Sequence, residues 1–326
     1  MAFNPHYLSD TAENVCAHRY YLNGIAKITH ESVSIVAPQS SVWQSNVVAR
    51  NFKRIEIIKS IEKLPVGFYI TFTPEGTKCE FLRFLANTSC DPKCFTPEFK
   101  GQLCSNLSQH LVNKITTIGY LLCPVRFEPI AKAVILRDSQ ARMPGASEGG
   151  TGKSIFAHAI GEIAAQYKMC GSELKSDGYF ASSDMTTRVE NILIEDFRAD
   201  YSVRYLFNYI SSGITINRRG RETYWLPNDL SPKLLITTNS NLKHADDGSA
   251  RRRLAFVDFP GWYNRNHTPL DDFCHSLFFD WDEYQWNLFD NFMAECVMYY
   301  LHSCVEEWGT LSCGIVEAPI INTSDQ

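Results

Sequence analysis

The chain has 326 residues, of which 44% are hydrophobic, 21% charged and 13% aromatic. At roughly 100–200 residues per domain this supports two domains with real cores and excludes a disordered chain. The net charge of −5 excludes a uniformly basic coat for nucleic acid, yet residues 1–265 carry 31 basic against 25 acidic residues, while residues 266–326 carry 11 acidic and no Lys or Arg. A nucleic-acid partner must therefore be argued locally.

The opening residues, MAFNPHYLSD, have neither a basic nor an apolar signal region, and no stretch reaches the ~18 apolar residues of a membrane span. The chain reads as soluble and cytoplasmic, in a bacterial or host cell, with no membrane partner. Eleven cysteines, scattered from Cys16 to Cys313, fit reduced thiols better than a disulfide framework. Cys79, Cys90, Cys94 and Cys104 form C-x10-C-x3-C-x9-C, looser than the paired spacings of structural zinc sites, so buried or loop thiols are the default reading.

Residues 1–130 are read as a mixed N-terminal accessory domain. Between residues 53 and 85, short apolar runs such as Gly67–Phe72 alternate with the turn Pro74-Glu75-Gly76, predicting one or two strands beside a helix. Thr96-Pro97-Glu98 starts a predicted helix whose Leu103, Leu107, Leu111 and Ile115 recur at i+4, ending near Gly119. His110, one residue before that stripe, is read as a packing residue.

From Ala131 to Arg265, short apolar runs alternate with helical stretches, the texture of an α/β domain with a mostly parallel sheet. Candidate strands are Lys132–Leu136, Asn191–Glu195 and Lys233–Thr237. The sequence Ser147-Glu148-Gly149-Gly150-Thr151-Gly152-Lys153-Ser154 meets the phosphate-loop pattern G-x-x-x-x-G-K-[ST] except at Ser147. Glycines let successive N–H groups turn toward phosphate oxygens, Lys153 reaches the β- and γ-phosphates, and the Ser154 hydroxyl ligates Mg²⁺. A helix from Ile155 onward would favour the anion at its N-terminus. The ten residues Arg137–Ala146 make an unusually long approach to the loop.

Asn191-Ile192-Leu193-Ile194-Glu195-Asp196 has the form of a strand ending in two carboxylates, one for the Mg²⁺ shell and one for the attacking water. Glu195 is assigned to the metal and Asp196 to the water, with the order left open. Ile214–Trp225 reads as a hairpin around Asn217-Arg218-Arg219-Gly220-Arg221, with Tyr224 or Trp225 able to stack on a base, although Trp225 is more simply a packed residue. Leu234–Asn239 is another strand ending in a polar residue, Asn239, able to contact a γ-phosphate or the lytic water, or simply to cap. Arg251-Arg252-Arg253 precedes the apolar strand Leu254–Val257; one or two of these arginines could reach a neighbouring subunit's nucleotide, or they form a solvated turn. Residues 266–326 form an acidic C-terminal segment in which 281–304 predicts a helix with Trp281, Leu288, Phe289, Phe292, Met293, Cys296, Val297, Tyr300 and Leu301 on one face.

GGTGKS, ILIED, a basic hairpin, LLITTN and RRRL follow in that order within about 110 residues, and this order resembles a superfamily 3 helicase. It is most similar to the helicase part of primase-helicases of phages, plasmids, mobile elements and large DNA viruses. The resemblance implies an AAA+-like P-loop NTPase with helices on both sheet faces, acting as a homo-oligomeric, usually hexameric ring that hydrolyses ATP and moves single-stranded or forked DNA. It implies ATP and Mg²⁺ as cofactors and a separate primase or replication protein as partner. Gly149, Gly150, Thr151, Gly152, Lys153 and Ser154 would hold phosphate, with Ser154 and Glu195 on Mg²⁺. Glu195, Asp196 and Asn239 would serve hydrolysis, Arg252 or Arg253 would act in trans, and Arg218, Arg219 and Arg221 would contact DNA. The rival readings are a regulatory P-loop ATPase, such as a helicase loader or transposition adaptor, and a small-molecule kinase, which leaves the hairpin and arginines unexplained.

Overall fold

The computed structural model describes residues 12–38, 46–89, 105–125, 131–139, 149–174, 185–186, 188–216, 222–308 and 313–319. It opens with β1 (Ala17–Tyr21), β2 (Gly24–Ile28) and β3 (Val33–Val36), which pair antiparallel, while β4 (Val47–Val48) lies parallel to β1, giving the order β3-β2-β1-β4. This sheet was not anticipated: β1 reads Ala-His-Arg-Tyr-Tyr, and its buried face alternates Ala17, Arg19 and Tyr21. The expected strands and helix of residues 53–85 are the antiparallel pair β5 (Ile58–Lys63) and β6 (Phe68–Phe72), followed by α1 (Glu80–Asn87).

Next comes α2 (Ser105–Leu122). Its proposed cap at Thr96-Pro97 lies outside the described residues, and the helix continues past Gly119, the expected end. Glycine stands there for another reason: a Cβ on Gly119 would run into the Cys296 carbonyl and Tyr300 of the C-terminal helix. His110 is buried on α2, where desolvation first and the Lys114 charge second pull its imidazole down to about 4, as suits a packing residue.

The following elements are β7 (Ala133–Asp138), α3 (Lys153–Gly161), β8 (Gln166–Cys170), β9 (Asn191–Glu195), α4 (Phe207–Ser212), the pair β10 (Ile214–Ile216) and β11 (Tyr224–Leu226), β12 (Lys233–Thr238), α5 (Gly248–Arg251) and β13 (Leu254–Phe259). Five of these strands form one sheet in the order β13-β7-β12-β9-β8, every neighbouring pair parallel. All five carboxyl ends therefore share one edge. Side chains alternate across the strands. Val134, Leu136, Leu193, Leu235, Ala255 and Val257 join the core under α2 and α3, and Ala133, Ile135, Ile192, Ile194, Leu234 and Ile236 join a second core with α4 and β10. Burial on both faces explains why these strands read as continuous apolar runs. Strand β8, Gln-Tyr-Lys-Met-Cys, escaped notice because it is an edge strand with little burial.

The acidic segment contributes α6 (Pro269–Phe273) and the long α7 (Glu283–Val305). All nine apolar residues expected on its face are buried, but so are Asn287, Asp290, Asn291 and Glu295, so the single-face expectation is corrected: beyond its first turn α7 is largely enclosed, and Asp290 and Glu295 point inward. The residues Asn287, Asn291 and Glu295 recur every four positions and serve an extended stretch of the N-terminal region. Asn287 Oδ1 accepts the Lys53 N–H (2.8 Å), Asn291 Oδ1 accepts the Ile55 N–H (2.9 Å), and Glu295 accepts the Ile57 and Ile58 N–H groups (3.0 and 2.7 Å). Four helical residues rise about 6 Å and two extended residues about 6.6 Å, so the two repeats keep step.

Charge is balanced along the same seam. Arg54 Nη1 meets Glu295 Oε1 at 2.7 Å, and Arg50 meets Asp290 at 2.8 Å and Glu162, just past α3, at 3.1 Å. Burial pushes the Asp290 carboxyl up to about 6, opposed by its hydrogen bond from Arg50. One core of buried residues thus runs from Val15 to Val316. No helix among the described residues is long and apolar enough to cross a membrane. The eight described cysteines are all free thiols; Cys90, Cys94 and Cys104, three of the four in the loose cysteine spacing, lie outside the described residues.

In an ordinary helix interior, Gly→Ala stabilises by about 1 kcal/mol. At Gly119 the sign is expected to reverse, with Gly119→Ala destabilising by about 1–3 kcal/mol through forced separation of α2 and α7, measured as a lower denaturant midpoint at constant slope.

Candidate functional site

In an open parallel sheet, ligands bind outside the carboxyl ends of the strands. At that edge lies a cavity of about 220 Å³ lined by Gly149 through Ile155, Asp196, Thr237, Asn239 and Pro269. It is smaller than the roughly 300–1,000 Å³ of drug-sized sites, which suits the phosphate part of a nucleotide rather than the whole.

Each wall follows from local sequence. Gly149, Gly150 and Gly152 have φ of 70°, 76° and 103°, a backbone that residues with a Cβ rarely adopt. Gly152 also needs its missing side chain: a Cβ there would lie 2.7 Å from Phe84 Cζ of α1. Gly149 has nothing within 4 Å of its Cβ position and stands open to the cavity. α3 begins at Lys153, and the Ser154 side chain is exposed at the helix start.

The two carboxylates separate. Asp196 lines the cavity; its backbone is left-handed (φ 53°) and its N–H donates to Thr237 Oγ1 at 3.1 Å. Glu195, the last residue of β9, is half-buried, and by alternation with Leu193 it lies on the α3 face of the sheet. Asn239, just beyond β12, is exposed and lines the cavity. The glycine loop and the ends of two further strands thus meet at one place.

The arginines do not join them. Arg252 and Arg253 precede β13, and the Arg253 carbonyl accepts the N–H of Ala133 at the start of β7 (2.9 Å), so both sit at the amino edge of the sheet, opposite the cavity. Arg253 is engaged within its own chain, donating to Ser211 Oγ (2.9 Å) and the Ser249 carbonyl (3.1 Å) and lying over the Phe207 ring. Arg252 is exposed.

The predicted hairpin is present as β10 paired with β11, Ile214 opposite Leu226 and Ile216 opposite Tyr224. Its tip, with Arg218, Arg219 and Arg221, lies outside the described residues. The expectation of a packed Trp225 is corrected. It pairs with Thr215 on the outer face of the ribbon and is 59% exposed, while Ile214 and Ile216 take the inner face.

Sequence reasoning missed Asp138, Thr237 and the support beneath the loop. Strand β7 runs through Arg137 to Asp138 instead of stopping at Leu136, which shortens the approach to the loop. Asp138 is buried and accepts from both the Thr151 hydroxyl and the Lys153 ammonium, whose Nζ also lies 3.2 Å from Thr151 Oγ1. The signal was available: Ala-Val-Ile-Leu-Arg-Asp, like the run before Glu195, is an apolar strand ending in a carboxylate. No sequence pattern pointed to Phe84, or to Lys114, which holds the end of α1 by donating to the Thr88 carbonyl (2.7 Å) and to that of Asp258 (3.0 Å).

A lysine, a hydroxyl and hard carboxylate oxygens around an open glycine loop fit a Mg²⁺-bound polyphosphate. Lys153 and the loop would hold the phosphates, and Ser154 with Glu195 or Asp196 would hold the ion.

Residues 146–253, from just before the loop to Arg253, match a family described as "Family of unknown function (DUF5906)". No curated protein matches the chain. Among solved structures, the chain is similar to "The A form apo structure of NrS-1 C terminal region-CTR", with 10% identity and a TM-score of 0.37, over 99% of this chain and 73% of that one. It is also similar to "The A form apo structure of NrS-1 C terminal region-CTR(305-718)", with 12% identity and a TM-score of 0.30, over 86% of this chain and 65% of that one.

Proposed function

We propose that the chain is an ATP-dependent DNA helicase or translocase of superfamily 3 type, acting as a ring in the replication of a phage, virus or mobile element. The observation that carries this reading is the convergence of Lys153, Ser154, Asp196 and Asn239 on one cavity at the carboxyl edge of a parallel sheet. They come from a loop and two strand ends up to 86 positions apart in sequence, from Lys153 to Asn239, and chance motifs have no reason to meet.

The chain's own residues divide the work. Lys153 and the loop amides bind phosphate, and the N-terminus of α3 favours its charge. Ser154 and Glu195 would hold Mg²⁺, which when bound would neutralise phosphate charge. Asp196, exposed in the cavity and fixed through its N–H to Thr237, orients or deprotonates the attacking water, and Asn239 hydrogen-bonds the water or the terminal phosphate. Glu195 serves the metal shell.

Arg252 supports the ring. It stands at the sheet edge opposite its own cavity, so a role on nucleotide requires a neighbouring subunit. Arg253 is held by Ser211, Ser249 and Phe207, which leaves Arg252 as the finger. DNA is assigned to the hairpin, where Arg218, Arg219 and Arg221 supply phosphate contacts and the exposed Trp225 offers a stacking face.

Two outcomes follow. DNA-stimulated phosphate release should fall by about 100-fold or more in Lys153→Ala; an active Lys153→Ala protein would remove the nucleotide reading. Arg252→Ala should lower hydrolysis by about 10³-fold while Arg253→Ala acts mainly on stability, and mixing Arg252→Ala with Lys153→Ala subunits should restore partial activity. If the mixture stays as inactive as its components, the arginine does not act in trans.

A further inference from the structure

We infer that Asp138 is a positioning residue for Lys153: it holds the ammonium in a resting arrangement and yields it when a polyphosphate enters. The inference rests on the nucleotide reading above and adds to it a residue that the phosphate-loop pattern does not contain.

Asp138 is the last residue of β7 and lies on the α3 face of the sheet, by alternation with Val134 and Leu136. It is 3% exposed, and Lys153, its partner, 7%. The preceding side chain, Arg137, is turned to Asp258 at 2.6 Å and over the Phe256 ring, so it is committed elsewhere. Thr151 and Lys153, two residues apart in the loop, both donate to the same carboxylate. The loop is therefore tied to the strand end through a buried ion pair whose cationic half lines the cavity.

That geometry sets up a competition. Lys153 is expected to serve phosphate, but its ammonium already has a buried carboxylate partner. A polyphosphate carries more charge and more acceptor oxygens than one carboxylate, so it can take the lysine over. Handing over leaves Asp138 buried and negative beside an anion, an arrangement that needs a remaining donor. Thr151 supplies one, because its hydroxyl can stay on Asp138 when the ammonium leaves. Asp138 thus keeps the empty loop ordered and lowers the affinity for nucleotide, and Thr151 limits that loss.

The test is equilibrium binding of a fluorescent, non-hydrolysable ATP analogue with Mg²⁺ to the full chain. Asp138→Asn keeps the shape and an acceptor for Thr151 but removes the charge. It should bind about tenfold more tightly than the unaltered chain, the scale of one charge-assisted hydrogen bond. Thr151→Val should bind several-fold more weakly in the Asp138 background, with little effect on top of Asp138→Asn. Equal or weaker binding by Asp138→Asn, or additive weakening by both changes, means the pair is only structural and overturns the inference. Should Asp138→Asn not fold, Thr151→Val decides alone, unchanged binding counting against it. If the unaltered chain and all variants fail to bind, the nucleotide reading itself fails, an outcome distinct from the unaltered chain binding while Asp138→Asn binds no better.

Discussion

The fold turns on a helix that acts as a partner strand. The segment from Lys53 to Ile58 needs hydrogen-bond partners for its backbone, and α7 supplies them through Asn287, Asn291 and Glu295, at a spacing whose rise keeps step with an extended chain. An unpaired buried backbone group costs about as much as a lost hydrogen bond. Arg50 and Arg54 neutralise the acids that the arrangement buries. Removing one partner of such a pair typically destabilises by about 3–5 kcal/mol, because the other charge is left buried alone.

From that seam the support reaches the glycine loop by two routes. Arg50 also binds Glu162, so the far end of α3 is fixed to α7. Phe84 of α1 packs under Gly152 and stacks on Tyr263, and Lys114 of α2 ties the end of α1 to the carbonyl of Asp258 in β13. The residues before the sheet therefore hold the loop in place as much as the sheet does. The charge asymmetry of the chain also acquires a structural meaning. Asp290 and Glu295 are neutralised internally, Asp282 caps α7 at the Gln285 N–H, and Asp271 closes a capping box with Thr268. These four acids of the tail thus have structural roles, while Asp280, Glu283, Glu306, Glu307 and Glu317 remain exposed on the surface.

What the sequence disclosed follows from how each signal is encoded. The central strands β7, β9, β12 and β13 were legible because burial on both faces makes them unbroken apolar runs, and the loop because its glycine pattern is local. The first sheet was hidden: β1 alternates Ala17, Arg19 and Tyr21 inward, and a buried arginine breaks the apolar pattern. Gly119 read as a helix end because a close crossing with α7 leaves no mark in the neighbouring sequence. Asp138 was lost to a strand boundary set two residues short, and the helix face of α7 was incomplete because its polar half is matched by residues more than 200 positions away.

The proposed reading is a motor whose cavity would take nucleotide, whose opposite sheet edge presents Arg252, and whose hairpin would meet DNA. Strand displacement on a forked duplex, followed by fluorescence with ATP and Mg²⁺ present, tests that directly. The expected result is ATP-dependent displacement that disappears in the paired variant Arg218→Ala, Arg219→Ala while that variant still folds. ATP hydrolysis without any displacement on forks of either polarity would contradict it and leave a regulatory ATPase in its place.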